Sequence, residues 1–243
     1  MGLVDLHLHL LPGVDDGSKS LDDSLAMARA LVGLGFTTLA PSPHHRPEYA
    51  SRSRELCATK LEEVRAALDA AGLGLALHSN AENYFLDEEL LPDAASGKLR
   101  LLGTGKVLLI EAPYQGPLPM LSDVVFRLKL KGVTPLIAHP ERCFEFERKG
   151  RAAELVQHGA LLQLDVGALI GRYGKTPQKL ARRFLDDGLY AVAATDLHSP
   201  VKAEQWVGDS LAALEKAVGK TGFDELFRIR PAKLLVGDTS SST

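Results

Sequence analysis

Apolar runs of four or five residues recur along the chain at 3–6, 37–40, 75–78, 107–110, 134–138, 161–164 and 190–194. Most are apolar nearly throughout, as strands covered on both faces are, rather than alternating with polar positions. Between them lie amphipathic stretches rich in Ala, Leu, Glu and Arg. These predict helices at 52–71, 120–131, 151–158, 177–187 and 204–218, the last continuing through 225–227. The clearest helix is LDDSLAMARALVGLG: Ser20 precedes it as an N-cap, Asp23 stands in its first turn, and Gly35 is placed to stop it. Strands alternating with helices make an α/β chain with a parallel sheet. Seven such units in 243 residues, with no linker or repeat, predict one domain over 1–237 folded as a distorted seven-stranded (β/α) TIM-like barrel, since eight units take about 250 residues. An open doubly wound sheet is the runner-up. The Ser/Thr-rich end, 238–243, reads as a disordered tail.

Composition narrows the class by exclusion. With 45% hydrophobic and 24% charged residues the chain is an ordinary globular one. A net charge of -3 offers no broad basic field for nucleic acid or an anionic membrane, and 6% aromatic residues argue against a base-stacking surface. The single Trp206 falls in a helix and reads as packing. No apolar run approaches the roughly 20 residues that span a bilayer. The start, MGLVDLHLHL, lacks the basic head and long apolar stretch of a signal peptide, so a cytoplasmic location is expected. Cys57 and Cys143 form no CxxC pair and read as reduced thiols. The oligomeric state is left open.

Both architectures bind ligands at the carboxyl ends of their strands, and chemistry gathers there. After the first strand come His7 and His9, whose spacing of two directs both rings to one side of an extended segment. HxH alone is a weak signal, shared with structural histidines. Asp15 and Asp16 follow in a Gly-flanked loop, which a simple turn would equally explain. The second strand leads into Pro43-His44-His45-Arg46, the third into Glu82 and the fourth into Glu111, a carboxylate costly to bury without a cationic partner. His139, Glu141 and Arg142 follow the fifth strand, Asp165 ends the sixth, and Asp196 and His198 follow the seventh. Even with Asp165 left aside, six of the seven strands lead into His, Asp or Glu at the same end, which points to one site rather than to scattered polar loops. Oxygen and imidazole donors without thiolate suit Zn, Mn or Fe in a catalytic setting. Nine candidate donors exceed the needs of one ion, so two or three divalent metals are expected.

These residues resemble the polymerase-and-histidinol-phosphatase (PHP) superfamily, and the likeness covers almost the whole chain. DLHLHLLPGVDDGSKS, the PHH of 43–45, LIE at 109–111, IAHPER at 137–142 and TDLH at 195–198 are similar to the bacterial CpsB/YwqE-type tyrosine phosphatases of that superfamily. The resemblance implies the PHP fold and a trinuclear metal site, with manganese the first choice and iron or zinc the others. It implies that His7, His9 and Asp196 hold one ion, that Glu82 bridges to a second completed by Glu111 and His139, and that Asp16, His44 and His198 hold a third. It also implies a phosphotyrosine protein substrate, namely a bacterial tyrosine autokinase, in the regulation of capsular or exopolysaccharide synthesis. One departure stands out. The branch carries an arginine shortly after its last metal histidine, where this chain reads His198-Ser199-Pro200-Val201-Lys202. Lysine is a point charge and cannot reproduce a bidentate guanidinium contact.

The mechanism expected is in-line attack on phosphorus by a hydroxide bridging two metals. Arg142, assisted by Arg46 or Lys202, would offset charge in the transition state, although Arg142 could instead pair with Glu141 or Glu145. Asp165 is a candidate acid or supporting group, and equally a structural loop aspartate. Alternatives are a small-molecule phosphatase such as one for histidinol phosphate, a metal-dependent amidohydrolase, or a non-catalytic metal-binding interaction domain.

Overall fold

The computed structural model describes residues 2–239, so residues 240–243 of the expected tail lie outside it. All seven apolar runs are strands: β1 (Leu3–Leu8), β2 (Phe36–Pro41), β4 (Ala76–Leu77), β6 (Val107–Glu111), β7 (Thr134–Ala138), β8 (Leu161–Asp165) and β9 (Tyr190–Ala194). Two short strands join them, β3 (His44–His45) and β5 (Glu82–Tyr84). The helices are α1 (Leu21–Gly33), α2 (Arg54–Ala70), α3 (Leu90–Ser96), α4 (Leu121–Leu130), α5 (Arg151–Gln157), α6 (Lys175–Asp186), α7 (Ala203–Asp224) and α8 (Arg230–Leu235), with a π-helical stretch at Glu225–Ile229. Ser20 caps α1 as expected, its side chain accepting the Asp23 N–H at 3.2 Å, and Gly35 beyond the end has φ 90°.

The strands do not form the single seven-stranded ring that the sequence suggests. They make a three-stranded sheet, β1-β2-β4, and a six-stranded sheet, β3-β5-β6-β7-β8-β9, with every paired strand parallel. The cause is local. Between β2 and β3 the Ser42 N–H still completes the β1–β2 ladder at Leu8 O (2.9 Å), whereas Pro43 has no N–H to offer a ladder. The chain passes from β2 in one sheet to β3 in the other across this break, and likewise from β4 to β5. At the far edge, β1 meets the segment after β9 through a Leu8–Leu197 bridge. There the His9 N–H donates to Leu197 O and the Asp196 N–H to His7 O, both at 2.9 Å.

Burial on both faces explains the apolar runs. Along β6, Leu108 and Ile110 join the large core beneath the helices, while Val107 and Leu109 join a smaller cluster with Val4, Leu6 and Leu136. Leu234 and Leu235 of α8 close that smaller cluster. The polar ends of the strands then emerge together.

Candidate metal centre

Nine side chains gather where the strands end. His7 Nε2 lies 3.3 Å from Glu82 Oε1 and 3.2 Å from Asp196 Oδ1, and His9 Nε2 lies 3.4 Å from the same Asp196 oxygen. The two rings of the HxH pair therefore do converge. His139 Nε2 is 3.0 Å from Glu82 Oε1, and His44 Nδ1 is 2.6 Å from Glu82 Oε2 and 3.7 Å from Glu111 Oε2. On the outer side, Asp16 Oδ1 is 3.3 Å from His44 Nε2 and 3.6 Å from His198 Nε2.

Their donor atoms fall into four overlapping groups: His7, His9 and Asp196; His7, Glu82 and His139; His44, Glu82 and Glu111; and His9, Asp16, His44 and His198. The first matches the expected first set, and the last contains the expected third set with His9 added. Glu111 and His139 do not share a group; each meets Glu82 from a different side, His139 beside His7 and Glu111 beside His44.

The donor set fits divalent cations. His7 Nε2, His9 Nε2, His44 Nδ1 and Glu82 Oε2 are buried and make no hydrogen bond of good geometry, although carboxylates or imidazoles stand within 4 Å of each. Buried polar atoms left unsatisfied in a native site call for an explanation, and mixed imidazole and carboxylate donors suit Zn, Mn or Fe. Without an ion the carboxylates share protonated rings. Burial opposes charge on His7, yet Glu82 and Asp196 push its pKa up to about 9. Burial likewise opposes charge on His44, which Asp16 and Glu82 raise to about 9. Glu82 is held well below the usual carboxylate range, burial being outweighed by His7, His139 and His44.

Residues behind the donors fix which nitrogen faces inward. His7 Nδ1 lies 2.7 Å from Gln163 Oε1, and His9 Nδ1 lies 2.8 Å from Asp15 Oδ2. Each acceptor holds a proton on Nδ1 and leaves Nε2 free for an ion. Asp15 also accepts from the Gly17 and His44 N–H groups, both at 3.0 Å. Gly17 is required here, because a Cβ would stand 2.3 Å from His9 Cβ. Asp5 accepts from Thr195 Oγ1 at 2.6 Å, tying β1 to the loop that carries Asp196. His139 (φ 32°) and Asp196 (φ 51°) both sit in the left-handed region. Such strain in non-glycine residues concentrates at functional sites.

The expected catalytic residues divide. Arg142 and Arg46 line the cavity above the donors, which holds about 200 Å³. Arg142 Nη1 is 2.6 Å from Asp196 Oδ2 and 3.3 Å from Asp165 Oδ2, and its guanidinium lies between Tyr173 (4.1 Å) and Tyr114 (4.7 Å). It pairs with neither Glu141 nor Glu145. Arg46 pairs with Glu111, supplying that carboxylate's cationic partner, and lies over Tyr84. Asp165 is buried behind Arg142, caps the Gly167 N–H at 2.8 Å and does not line the cavity. Lys202 is exposed at the start of α7, where it lines a separate groove with Arg29 and Ala203. The charge it was expected to bring after His198 does not line the cavity.

Sequence reasoning missed Gln163, Tyr114, Tyr173 and the orienting role of Asp15. Gln163 did carry a signal, as the lone amide in the apolar strand LLQLD.

Similarity to known proteins agrees with this geometry. The capsular polysaccharide synthesis family CpsB/CapC matches residues 3–236. The tyrosine-protein phosphatase YwqE of Bacillus subtilis is 30% identical over 218 residues, covering 89% of this chain and 85% of YwqE. The tyrosine-protein phosphatase CpsB of Streptococcus pneumoniae is 25% identical over 240 residues, covering 96% and 98%. A crystal structure from work on those two enzymes, described as metal-dependent tyrosine phosphatases, superposes with a TM-score of 0.88 at 29% identity, covering 96% of this chain and 94% of that one. An amidohydrolase from Mycoplasma synoviae shares the fold alone, with a TM-score of 0.65 at 12% identity and coverage of 96% and 87%. The chain belongs to the CpsB/CapC family.

Proposed function

We propose that this protein is a metal-dependent phosphatase that hydrolyses phosphotyrosine on proteins. One observation carries the reading: nine imidazole and carboxylate donors converge beneath a cavity flanked by two arginines in a chain of the CpsB/CapC family. His7, His9 and Asp196 would hold one ion, Glu82 would be shared, and Glu111, His139, Asp16, His44 and His198 would complete one or two further sites. Manganese is our first choice, with iron or zinc as the others. Bound divalent ions supply Lewis acidity toward the phosphoryl oxygens and make water nucleophilic at neutral pH.

The chain's own residues do the rest. Arg142 and Arg46 orient the phosphoryl group and offset the charge that develops on it. Asp165 holds Arg142 in place from behind. A tyrosine leaving group, with a pKa near 10, needs less proton donation than an alkyl alcohol, so no strong general acid is required. The substrate we assign is a bacterial tyrosine autokinase, in the control of capsular or exopolysaccharide synthesis. A cytoplasmic setting suits the two free, buried cysteines. No helix among the described residues is long and apolar enough to cross a membrane.

The test is hydrolysis of phosphotyrosine peptides by manganese-loaded protein, wild type against His139→Ala and Glu111→Ala. Turnover should fall at least a hundredfold in both variants. Undiminished turnover, or faster hydrolysis of an alkyl ester such as histidinol phosphate, would overturn the assignment.

A further inference from the structure

Beside the donor cluster, and sharing Arg142, Asp196 and His198 with it, lies a second cleft of about 280 Å³. Arg172, Tyr173, Leu197, Ser199 and Trp206 complete its wall. Its charge differs in kind from that of the metal cavity. Arg142 and Arg46 are both neutralised, the first by Asp196 and Asp165 and the second by Glu111. Arg172 is not. Its guanidinium lies 3.9 Å from the centre of the Trp206 ring, and among the described residues no carboxylate pairs with it. The one carboxylate in the wall, Asp196, is turned to Arg142 on one oxygen and to His7 and His9 on the other.

The loop that presents Arg172 is built rather than loose. Gly171 (φ 81°) and Gly174 (φ 96°) bracket Arg172-Tyr173 in conformations that side chains resist. The Arg172 N–H donates to Gly167 O at 3.2 Å, and Gln178 Nε2 donates to Leu169 O at 2.8 Å. Stacking on buried Trp206 orients the guanidinium further, so little freedom is lost when it binds. A free cation, an aromatic wall and the Ser199 hydroxyl form a complement to an anionic side chain.

We propose that this cleft is a docking subsite for an acidic residue flanking the phosphotyrosine of the substrate, with Arg172 as its binding residue. The proposal rests on the phosphotyrosine reading above. It also accounts for the departure after His198: a guanidinium beside that segment is supplied by the loop after β8, not by Lys202.

Trp206 is the sole tryptophan, so its fluorescence reports this cleft. The experiment uses two phosphotyrosine peptides that differ only in glutamate or lysine beside the phosphotyrosine, together with their non-hydrolysable phosphonate analogues. With wild-type protein, kcat/KM should favour the glutamate peptide about tenfold through KM, as one partly exposed charge-assisted contact allows. The glutamate analogue should change Trp206 emission saturably. Arg172→Glu should reverse the preference and abolish that fluorescence response, and Arg172→Lys should restore part of both. Peptides hydrolysed with no preference and no fluorescence change would overturn the subsite and leave the phosphatase reading standing. Neither hydrolysis nor binding of either peptide would overturn both.

Discussion

Asp15 lies outside the nine donors, yet replacing it with asparagine should damage the metal site. Its Oδ2 sits 2.8 Å from His9 Nδ1 and 3.0 Å from the His44 N–H, and its Oδ1 accepts the Gly17 N–H at 3.0 Å. All three neighbours are donors toward Asp15, and a carboxylate is acceptor-only. Asparagine has the same shape but must present its NH₂ to one side. Toward Gly17, it sets donor against donor. Toward His9 and His44, it opposes the His44 N–H and favours the His9 tautomer with its proton on Nε2, the atom that faces Asp196. Loss of such an outer partner costs about 10–100-fold in metal affinity, or about 1.4–2.8 kcal/mol. The buried N–H left facing a donor costs about 1–3 kcal/mol of stability. Calorimetric titration of metal-stripped protein with Mn²⁺ measures the first, and chemical denaturation of the same sample the second. Asp15→Asn matching wild type in both Mn²⁺ affinity (within twofold) and stability would refute the claim that Asp15 must accept on both of its oxygens.

Three further outcomes follow from the packing. Glu141 is buried, and burial followed by the charge of Asp165 raises its pKa to about 8. The folded state thus binds its proton more tightly than the unfolded state, so wild-type stability declines as pH rises from about 4.5 to about 8; Glu141→Gln should gain in Tm relative to wild type across that window, and a pH-independent difference would count against this. Arg151 is 3% exposed and bonds Glu145 Oε1 at 2.5 Å and Ser122 Oγ at 2.7 Å. Arg151→Met should cost about 3–5 kcal/mol by urea denaturation, because Glu145 is left buried beside an apolar group. Ser20→Ala removes the α1 cap and should cost about 1 kcal/mol in the same assay.

The strands were legible because they are buried on both faces, which forces continuous apolar runs such as VLLIE and YAVAA. The exceptions are instructive. β3 is His44-His45 and β5 opens on Glu82-Asn83, polar residues that include two of the nine donors, so these two strands show no apolar run. The seven residues of α3 carry Pro92 near their start, which reads as a breaker unless its first-turn position is known. The nine donors stood out as imidazoles and carboxylates directly after apolar segments. Roles that depend on the fold did not: Gln163 reaches His7 from a strand 156 positions later, and Arg172 sits in a GRYG loop set apart from the strand ends by the short helical turn Val166–Ile170. Lys202 shows the opposite error, since sequence nearness to His198 implied a place in the cavity that the turn into α7 denies.

The bridge between Leu8 and Leu197 has a consequence for biosynthesis. His7 and His9 leave the ribosome about 190 residues ahead of Asp196 and His198. Synthesis runs at about 5–20 residues per second, so the first ligands wait at least several seconds for their partners. A nascent chain therefore carries a histidine pair that can capture a stray cation long before the selective cluster exists. Any truncation before residue 196 leaves a protein unable to assemble the His7, His9 and Asp196 group. Metal loading is in this sense a late checkpoint, passed only by chains extended past residue 196 and joined through the Leu8–Leu197 bridge.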